Sequence, residues 1–391
     1  MLNTCFSDWP QYTLEECEKV QQVLLSNKVN YWTGTECREF EKEFANWCDC
    51  KHAVALANGT LALDLALKAL DIGGGDEVIT TPRTFLASAS SIVTTGANPV
   101  FADVDLNSQN ITADSIEAVL TPKTKAVIVV HLAGMPAEMD AIMALSEKHG
   151  FYVIEDCAQA HGAKYKGRSV GTIGHIGAWS FCQDKIMTTG GEGGMVTTND
   201  NELWSKMWSY KDHGKSFDAI YNREHPPGFR WLHESFGTNW RMTEMQAVIG
   251  RIQLTRMTEW TQKRQVNGKA IDDAVSELSV VRRVDVPDYI EHAEYKHYLF
   301  VNPDQLASDW NRDRIVDEIN ALGVPAFQGS CSEVYLEKAF DDTSFRPKVP
   351  LKNAVELGET SLMFLVHPTL TQDEIGKTAE VLRAVLLEAQ V

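Results

Sequence analysis

The sequence predicts an α/β protein in which a central, mostly parallel seven-stranded sheet is flanked by helices and followed by a smaller C-terminal α+β lobe. Three observations lead there. Between His52 and Thr198, short apolar runs alternate with longer stretches of helical period, as in βα units. After Asn199 that alternation stops. The chain has 391 residues, more than the usual ~100–200 of one domain, which leaves room for a second lobe.

The seven strands are expected at residues 53–57, 77–80, 99–103, 126–131, 151–156, 178–182 and 194–198. Helical spacing falls between them at 60–70, with Asn58 as a cap, and at 86–95, 112–120 and 136–148. Helical period then runs over 201–212, breaks at His225, Pro226, Pro227 and Gly228, and resumes over 242–265 as a connector between lobes. A short stretch at 271–278, a β-like run at 298–301 and helices at 312–322 and 372–389 build the second lobe. Ahead of the first strand lie about 50 residues of arm and helix, clearest at 14–27. The expected division is an N-terminal arm (1–50), a large α/β domain (51–250), and a connector helix with a small domain (251–391).

Acidic residues outnumber basic ones 54 to 36, a net charge of −18, whereas a binder of phosphate backbones needs the opposite surplus. No nucleic-acid partner is expected. Residues 1–11 show no basic segment leading into an apolar one, and no apolar run reaches the ~18–20 residues of a membrane span. A cytoplasmic protein with no membrane partner is expected. Eight cysteines scattered over this length read as reduced thiols. Cys48, Cys50 and His52 lack a fourth ligand and the usual spacer, so no metal is assigned to them.

Ligands of open α/β sheets sit beyond the carboxyl ends of the strands, so the polar residues just after each strand are the candidates. Asn58-Gly59-Thr60 offers a close backbone approach, a hydroxyl and helix-terminal N–H groups, as a phosphate site does, although a capped turn looks the same. Asp156 ends the most apolar strand, where a carboxylate stays ionised only beside a cation; helix capping is the alternative. Lys185 stands between a buried-looking strand containing Ser180 and the glycine-rich 188–194 loop. Partial desolvation of such an ammonium is what a Schiff-base lysine requires. Residues 237–242 lead into the connector helix and alone say little. Together a lysine, a carboxylate, a phosphate cup and an aromatic face match the needs of pyridoxal 5'-phosphate.

The same residues carry a family resemblance. Asn58-Gly59-Thr60, Thr84-Phe85, the 155–163 run from Glu155 to Ala163, Ser180-Phe181 with Lys185, the Gly-Glu-Gly-Gly run and Asn239-Trp240-Arg241-Met242 occur in the order seen in the DegT/DnrJ/EryC1/StrS sugar aminotransferases. The resemblance runs from about residue 32 to the C-terminal helix. It implies the fold-type I, aspartate aminotransferase-like architecture. It also implies that Lys185 holds pyridoxal phosphate and moves the proton, that Asp156 pairs with the ring nitrogen and that Gln159 contacts the ring hydroxyl. Phe85 would stack on the ring, and Gly59, Thr60 and Ser180 would hold the phosphate. An asparagine placed like Asn239 reaches the cofactor of the neighbouring subunit in this family, which implies a homodimer with shared active sites.

The implied reaction takes an amino group from L-glutamate, through pyridoxamine 5'-phosphate, to a keto-sugar. The acceptor is nucleotide-linked or a free keto-sugar such as an oxidised 3-deoxy-octulosonate, for cell-surface polysaccharide such as lipopolysaccharide. Residues 323–335 depart from the His-Tyr-containing loop of many relatives, which opens the question of the acceptor. Sugar dehydratases of the family carry histidine in place of the lysine, so Lys185 disfavours that alternative. A non-catalytic, regulatory pyridoxal-phosphate binder would leave the lysine, carboxylate and aromatic together without a purpose. A nicotinamide enzyme is disfavoured because Gly171, Gly174 and Gly177 have the wrong spacing and position.

Overall fold

The computed structural model describes residues 5–391 except 226 and 229. Pro226 of the expected break and the first four residues of the arm therefore lie outside the described residues. The seven strands form where apolar runs were found: β1 (His52–Leu56), β2 (Glu77–Thr80), β3 (Asn98–Phe101), β4 (Thr124–Val130), β5 (Tyr152–Asp156), β6 (Ile176–Ser180) and β7 (Gly194–Thr198). They make one sheet in the order β1-β7-β6-β5-β4-β2-β3. Strand β7 runs antiparallel to both its neighbours, and every other pairing is parallel. The sixth strand ends at Ser180, two residues before the expected boundary, which leaves Cys182 and Lys185 in the turn beyond it.

Both faces of the sheet are covered, and β4 and β5 show how one strand serves two cores. Side chains alternate across a strand. Ala126, Ile128, Val130 and Ile154 join the core on one face, whereas Val127, Val129 and Val153 join that on the other. The two carboxylates at the end of β5 are divided in the same way. Glu155 shares the Val153 face and is fully buried. It accepts hydrogen bonds from the backbone N–H groups of Gly171 (2.8 Å), Ile173 (2.8 Å) and Gly174 (2.6 Å) and from His131 Nε2 (3.0 Å). The Ala137 N–H donates to His131 Nδ1, so it is Nε2 that carries the proton given to Glu155. Gly171 and Gly174 thus serve this loop: a Cβ on Gly174 would lie 2.9 Å from the Val153 carbonyl oxygen, and Gly171 has φ +78° against the Trp179 ring.

The N-terminal arm contains the expected helix at Leu14–Leu25 and a second, Glu36–Cys48, that the sequence reading left within the arm. The second helix buries Cys37, Phe40, Phe44 and Cys48 on one stripe, and Phe44 meets Trp179 and Phe181 edge-on at 5.2 and 5.6 Å. The stretches at 242–265 and 271–278 prove to be one 32-residue helix, Glu244–Val275. It continues because Gly268 lets it pass His297 and Glu294, where a Cβ would come within 2.9 and 3.0 Å. Its N-terminal part, with Ala247 and Met257, packs on the large sheet, while Ile271 and Val275 enter a separate core. That core belongs to an antiparallel sheet of four strands in the order Val281–Arg283, His297–Val301, Ser361–Phe364, Ala326–Phe327. Helices Arg312–Ala321 and Gln372–Ala389 cover it through Ile315, Ile319, Leu382 and Leu386. Among the described residues no helix is long and apolar enough to cross a membrane.

Burial works against the ionised Glu155, but the His131 hydrogen bond and charge and the backbone N–H groups of Gly174 and Gly171 outweigh it and hold the pKa below the usual carboxylate value. A lowered native pKa stabilises the fold above the unfolded value of ~4.3, and that stability is lost as pH falls through the native value. Glu155→Gln should cost about 1–3 kcal/mol, because the amide turns a donor toward backbone donors. Urea unfolding at pH 7 and at pH 4 checks this: the penalty should be large at the first and smaller at the second.

Candidate active site

A cleft of about 550 Å³ opens where β1, β4, β5 and β6 end, and Gly59, Thr60, Phe85, Asp156, Gln159, Ser180 and Lys185 all line it. On one side, helix Gly59–Ala69 starts directly after β1. Asn58 caps it by accepting the Leu61 N–H at 3.0 Å, and the N–H groups of Gly59 and Thr60 precede any intrahelical acceptor. Gly59 is required for contact: a Cβ there would stand 2.4 Å from Ser180 Cβ. Gly194 repeats the constraint from β7, with a Cβ only 2.2 Å from the Asn58 carbonyl oxygen. Helix terminus, Ser180 and the glycine loop are thereby drawn into one concave wall with hydroxyl and N–H donors.

Across from that wall sits Asp156, buried and hydrogen-bonded by Ser88 Oγ at 2.9 Å and the Ala158 N–H at 3.1 Å. Burial raises its pKa, and Ser88, the Ala158 N–H and the Lys185 charge only partly offset this. The adjacent carboxylates therefore differ in kind. Glu155 is saturated by donors, whereas Asp156 is a buried anion short of a cation, which marks functional sites more often than structural ones. Phe85 stands 72% exposed at the lip of the cleft, an aromatic face with no ring stacked on it among the described residues. Gln159 also lines the cleft, and its Oε1 accepts the Ala133 N–H at 2.7 Å.

Lys185 lies in the turn after β6, its N–H bonded to the Cys182 carbonyl at 3.1 Å and its side chain 17% exposed. Nζ is 3.5 Å from Asp184 Oδ1 and 5.2 Å from the Tyr295 ring centroid. The Tyr295 hydroxyl donates to Asp184. From the N-terminal arm, Trp9 Nε1 donates to the Lys185 carbonyl at 2.8 Å. Sequence reasoning missed Ser88, Trp9, Asp184 and Tyr295. Only Asp184 had a local signal, its place beside the lysine; the others reach the site from 68 to 176 residues away.

Asn239 is the one candidate outside the cleft lining. It is exposed, and its backbone bridges Asp212 in a loop that runs along the end of β1. Nor does it cap the connector helix, which is capped by Thr243 with Gln246 in a reciprocal box. His161 packs between Trp179 and Phe181 at 5.3 and 5.6 Å, where burial and the Lys185 charge push its pKa to about 3, so it is neutral packing. The His52 ring, near Cys48 and Cys50, stacks on Trp204 and bonds Asn201 at 2.7 Å. His131, Glu155 and Cys157 place their ligand atoms within 4.8 Å of one another, but Glu155 and both nitrogens of His131 are already engaged.

Residues 10–383 match the model of the DegT/DnrJ/EryC1/StrS aminotransferase family. The chain belongs to that family. This pyridoxal-phosphate-dependent sugar aminotransferase superposes on the aminotransferase of Psychrobacter cryohalolentis with a TM-score of 0.97 and 64% identity, covering 98% of this chain and 99% of the other. It is 36% identical to the spore coat polysaccharide biosynthesis protein SpsC of Bacillus subtilis strain 168, over 95% of this chain and 94% of that one. It is also 36% identical to GDP-perosamine synthase of Caulobacter vibrioides, over 89% and 90% of the two chains.

Since the Asp156 pKa is raised in the cofactor-free protein, its ionisation opposes folding at neutral pH. Asp156→Asn should therefore raise the melting temperature of cofactor-free protein, opposite in sign to Glu155→Gln, while single-turnover amination falls by roughly two orders of magnitude or more. Calorimetry and stopped-flow absorbance on both variants check the contrast; equal kinetic defects would assign the wrong carboxylate.

Proposed function

We propose that this aminotransferase moves an amino group from L-glutamate to the ketone carbon of a sugar, as a cytoplasmic homodimer serving cell-surface polysaccharide synthesis. The observation that carries the reading is the meeting of Lys185, Asp156 and Phe85 in one cleft beside the Gly59–Ser180 wall. The residues fit pyridoxal phosphate: the wall supplies hydroxyl and helix-terminal donors in a concavity that a Cβ at residue 59 would fill, and the buried Asp156 lacks a cation. When bound, the cofactor supplies an electron sink for breaking bonds at the amine-bearing carbon.

In this reading each residue has a separate task. Lys185 Nζ would anchor the cofactor and, once released from it, would take the proton from the amine-bearing carbon of the donor and, in the second half-reaction, deliver one to the ketone carbon of the acceptor. The Asp156 carboxylate keeps the ring nitrogen protonated, and a cation held there removes the burial penalty on the carboxylate itself. Phe85 would cover one face of the ring, Gln159 would meet the ring hydroxyl, and Gly59, Thr60 and Ser180 would hold the phosphate. Glu155 acts at one remove, by fixing the strand end from which Asp156 projects. Asn239, exposed and free of capping duty, completes the partner's site with its amide.

The acceptor is nucleotide-linked or a free keto-sugar of the oxidised octulosonate type. The name of the Caulobacter relative favours the first. Residues 323–335 favour keeping the second: this segment abuts the cleft wall, with the Thr84 N–H on the Cys331 carbonyl at 3.1 Å and Arg83 Nη1 on Ser332 Oγ at 2.9 Å.

Lys185→Ala should abolish turnover, by at least about 10³-fold, while still binding pyridoxamine phosphate, because the wall and Asp156 are intact. Equilibrium dialysis with single-turnover absorbance separates the two effects. Mixing inactive Lys185→Ala with inactive Asn239→Ala should restore activity in heterodimers, which then hold one intact site. No recovery after confirmed subunit exchange, or an active monomer in sedimentation, overturns the shared site.

A further inference from the structure

A transaminase must accommodate the carboxylate of its amino-acid donor, and in a cleft shielded from water a carboxylate needs a cation or several donors. Lys185 is the only lysine or arginine among the residues lining this cleft, and its amine is committed to the reaction. The nearby Arg83 is fully employed, donating to Gln109 at 3.0 Å, Ser332 at 2.9 Å and Ser361 at 2.8 Å. Arg241 is held by Asp212 at 2.6 Å. A cation not so engaged stands behind Tyr295.

We propose that Lys296, backed by Arg264, forms a carboxylate-binding subsite beside Lys185, taking the carboxylate of the amino-acid donor or that of a sugar-acid acceptor. This rests on the reading of the cleft given above. Tyr295 organises the subsite. Lys185 Nζ lies 5.2 Å and Lys296 Nζ 4.9 Å from its ring centroid, so the Lys296 ammonium is within about 10 Å of the reacting amine, a distance that a small amino acid or sugar acid spans with its carboxylate. The Tyr295 hydroxyl donates to Asp184, which itself lines the cleft.

Charge around Tyr295 is unbalanced. Lys296 makes no ion pair with a carboxylate among the described residues. Arg264 is buried; its Nη1 reaches the Tyr295 carbonyl at 3.3 Å, and its Nε and Nη2 have no hydrogen-bond partner among the described residues. Of the acidic groups at hand, Asp184 faces Lys185 at 3.5 Å, and Glu294 is taken by His297 at 3.2 Å and His292 at 3.6 Å. His367, stacked on Trp9 beside Arg264, is held neutral by burial and by the Arg264 and Lys296 charges. Burial and then the Arg264 charge lower the Lys296 pKa to about 8, against the pull of Asp184. Lys185, Lys296 and Arg264 thus have only Asp184 and the histidine-bound Glu294 to balance them, in a protein whose net charge is −18. Such an excess is costly unless an anion enters it, and a carboxylate entering beside Lys296 relieves the repulsion.

The test uses holoenzyme and the variants Lys296→Met, which keeps the apolar stem, and Lys296→Arg, which keeps the charge. Glutarate, an unreactive dicarboxylate, is titrated by calorimetry, and both half-reactions are followed by cofactor absorbance. Lys296→Met should weaken glutarate binding about tenfold or more, with Lys296→Arg recovering most of it. If the donor is the source, KM for L-glutamate rises by a like factor with kcat little changed. If a sugar acid is the source, the rise appears with a carboxylated acceptor and not with a neutral keto-sugar. Unchanged glutarate affinity and unchanged KM in both half-reactions of a folded Lys296→Met protein overturn the subsite. Failure of the glutamate-donor reading looks different: wild-type protein would not convert L-glutamate at all, while glutarate binding would still depend on Lys296.

Discussion

Strand Tyr152–Asp156 ends in two carboxylates, and the alternation of side chains sends them to opposite faces of the sheet. The rest of the architecture follows from how differently they are treated. Glu155 collects three backbone N–H groups and a histidine, which ties the 171–174 loop to the strand and makes its charge a source of stability. Asp156 receives two donors and, among the described residues, no ion pair, the Lys185 charge offsetting burial only in part, so its charge is a burden on the folded chain. A protein keeps such a burden where a ligand relieves it. The rigid carboxylate is what allows the unsatisfied one to be held in place.

Around that strand end the scaffold is assembled from distant pieces. The 32-residue helix Glu244–Val275 serves two cores at once and passes Glu294 and His297, at the start of strand His297–Val301, at Gly268. The N-terminal arm threads back so that Trp9 packs against Trp260 at 5.1 Å and over Arg264 at 5.0 Å, and bonds the Lys185 carbonyl. Asp8 and Ser7 meet Thr369 and Glu374 of the C-terminal segment. The turn bearing the lysine is consequently braced by the arm, the connector helix and the small lobe together. For a group that must hold a fixed position against a planar ligand, bracing from several elements matters more than any single contact.

Electrostatics divide the cleft into two regions. One wall offers neutral donors, the hydroxyl of Ser180 and the start of helix Gly59–Ala69, as suits a phosphate approached by backbone. The Lys185 end adjoins Tyr295, behind which, outside the lining, the Lys296 ammonium and the buried Arg264 guanidinium gather. Within an acidic chain such a local reversal of sign attracts small anions while the remaining surface repels polyanions.

Much of this was legible in the sequence because it is local. Strands β2 and β7 and helix Gln372–Ala389 fall at the expected bounds, since a period of 2 or 3.6 residues and a capping box are properties of neighbouring residues. Seven of the eight candidate site residues line one cleft because each ends a strand, lies in the turn beyond one or opens a helix, and parallel strands bring their carboxyl ends to one side. Asn239 does not join them in its own chain. The tertiary structure alone decided which of two adjacent carboxylates is saturated, that two helical stretches are one helix, that Ser88 meets Asp156, and that Trp9 and Tyr295 meet Lys185 with Lys296 and Arg264 beside Tyr295. Those outcomes depend on donors and charges dozens to hundreds of residues away, and no local propensity encodes where a distant N–H or ammonium comes to rest.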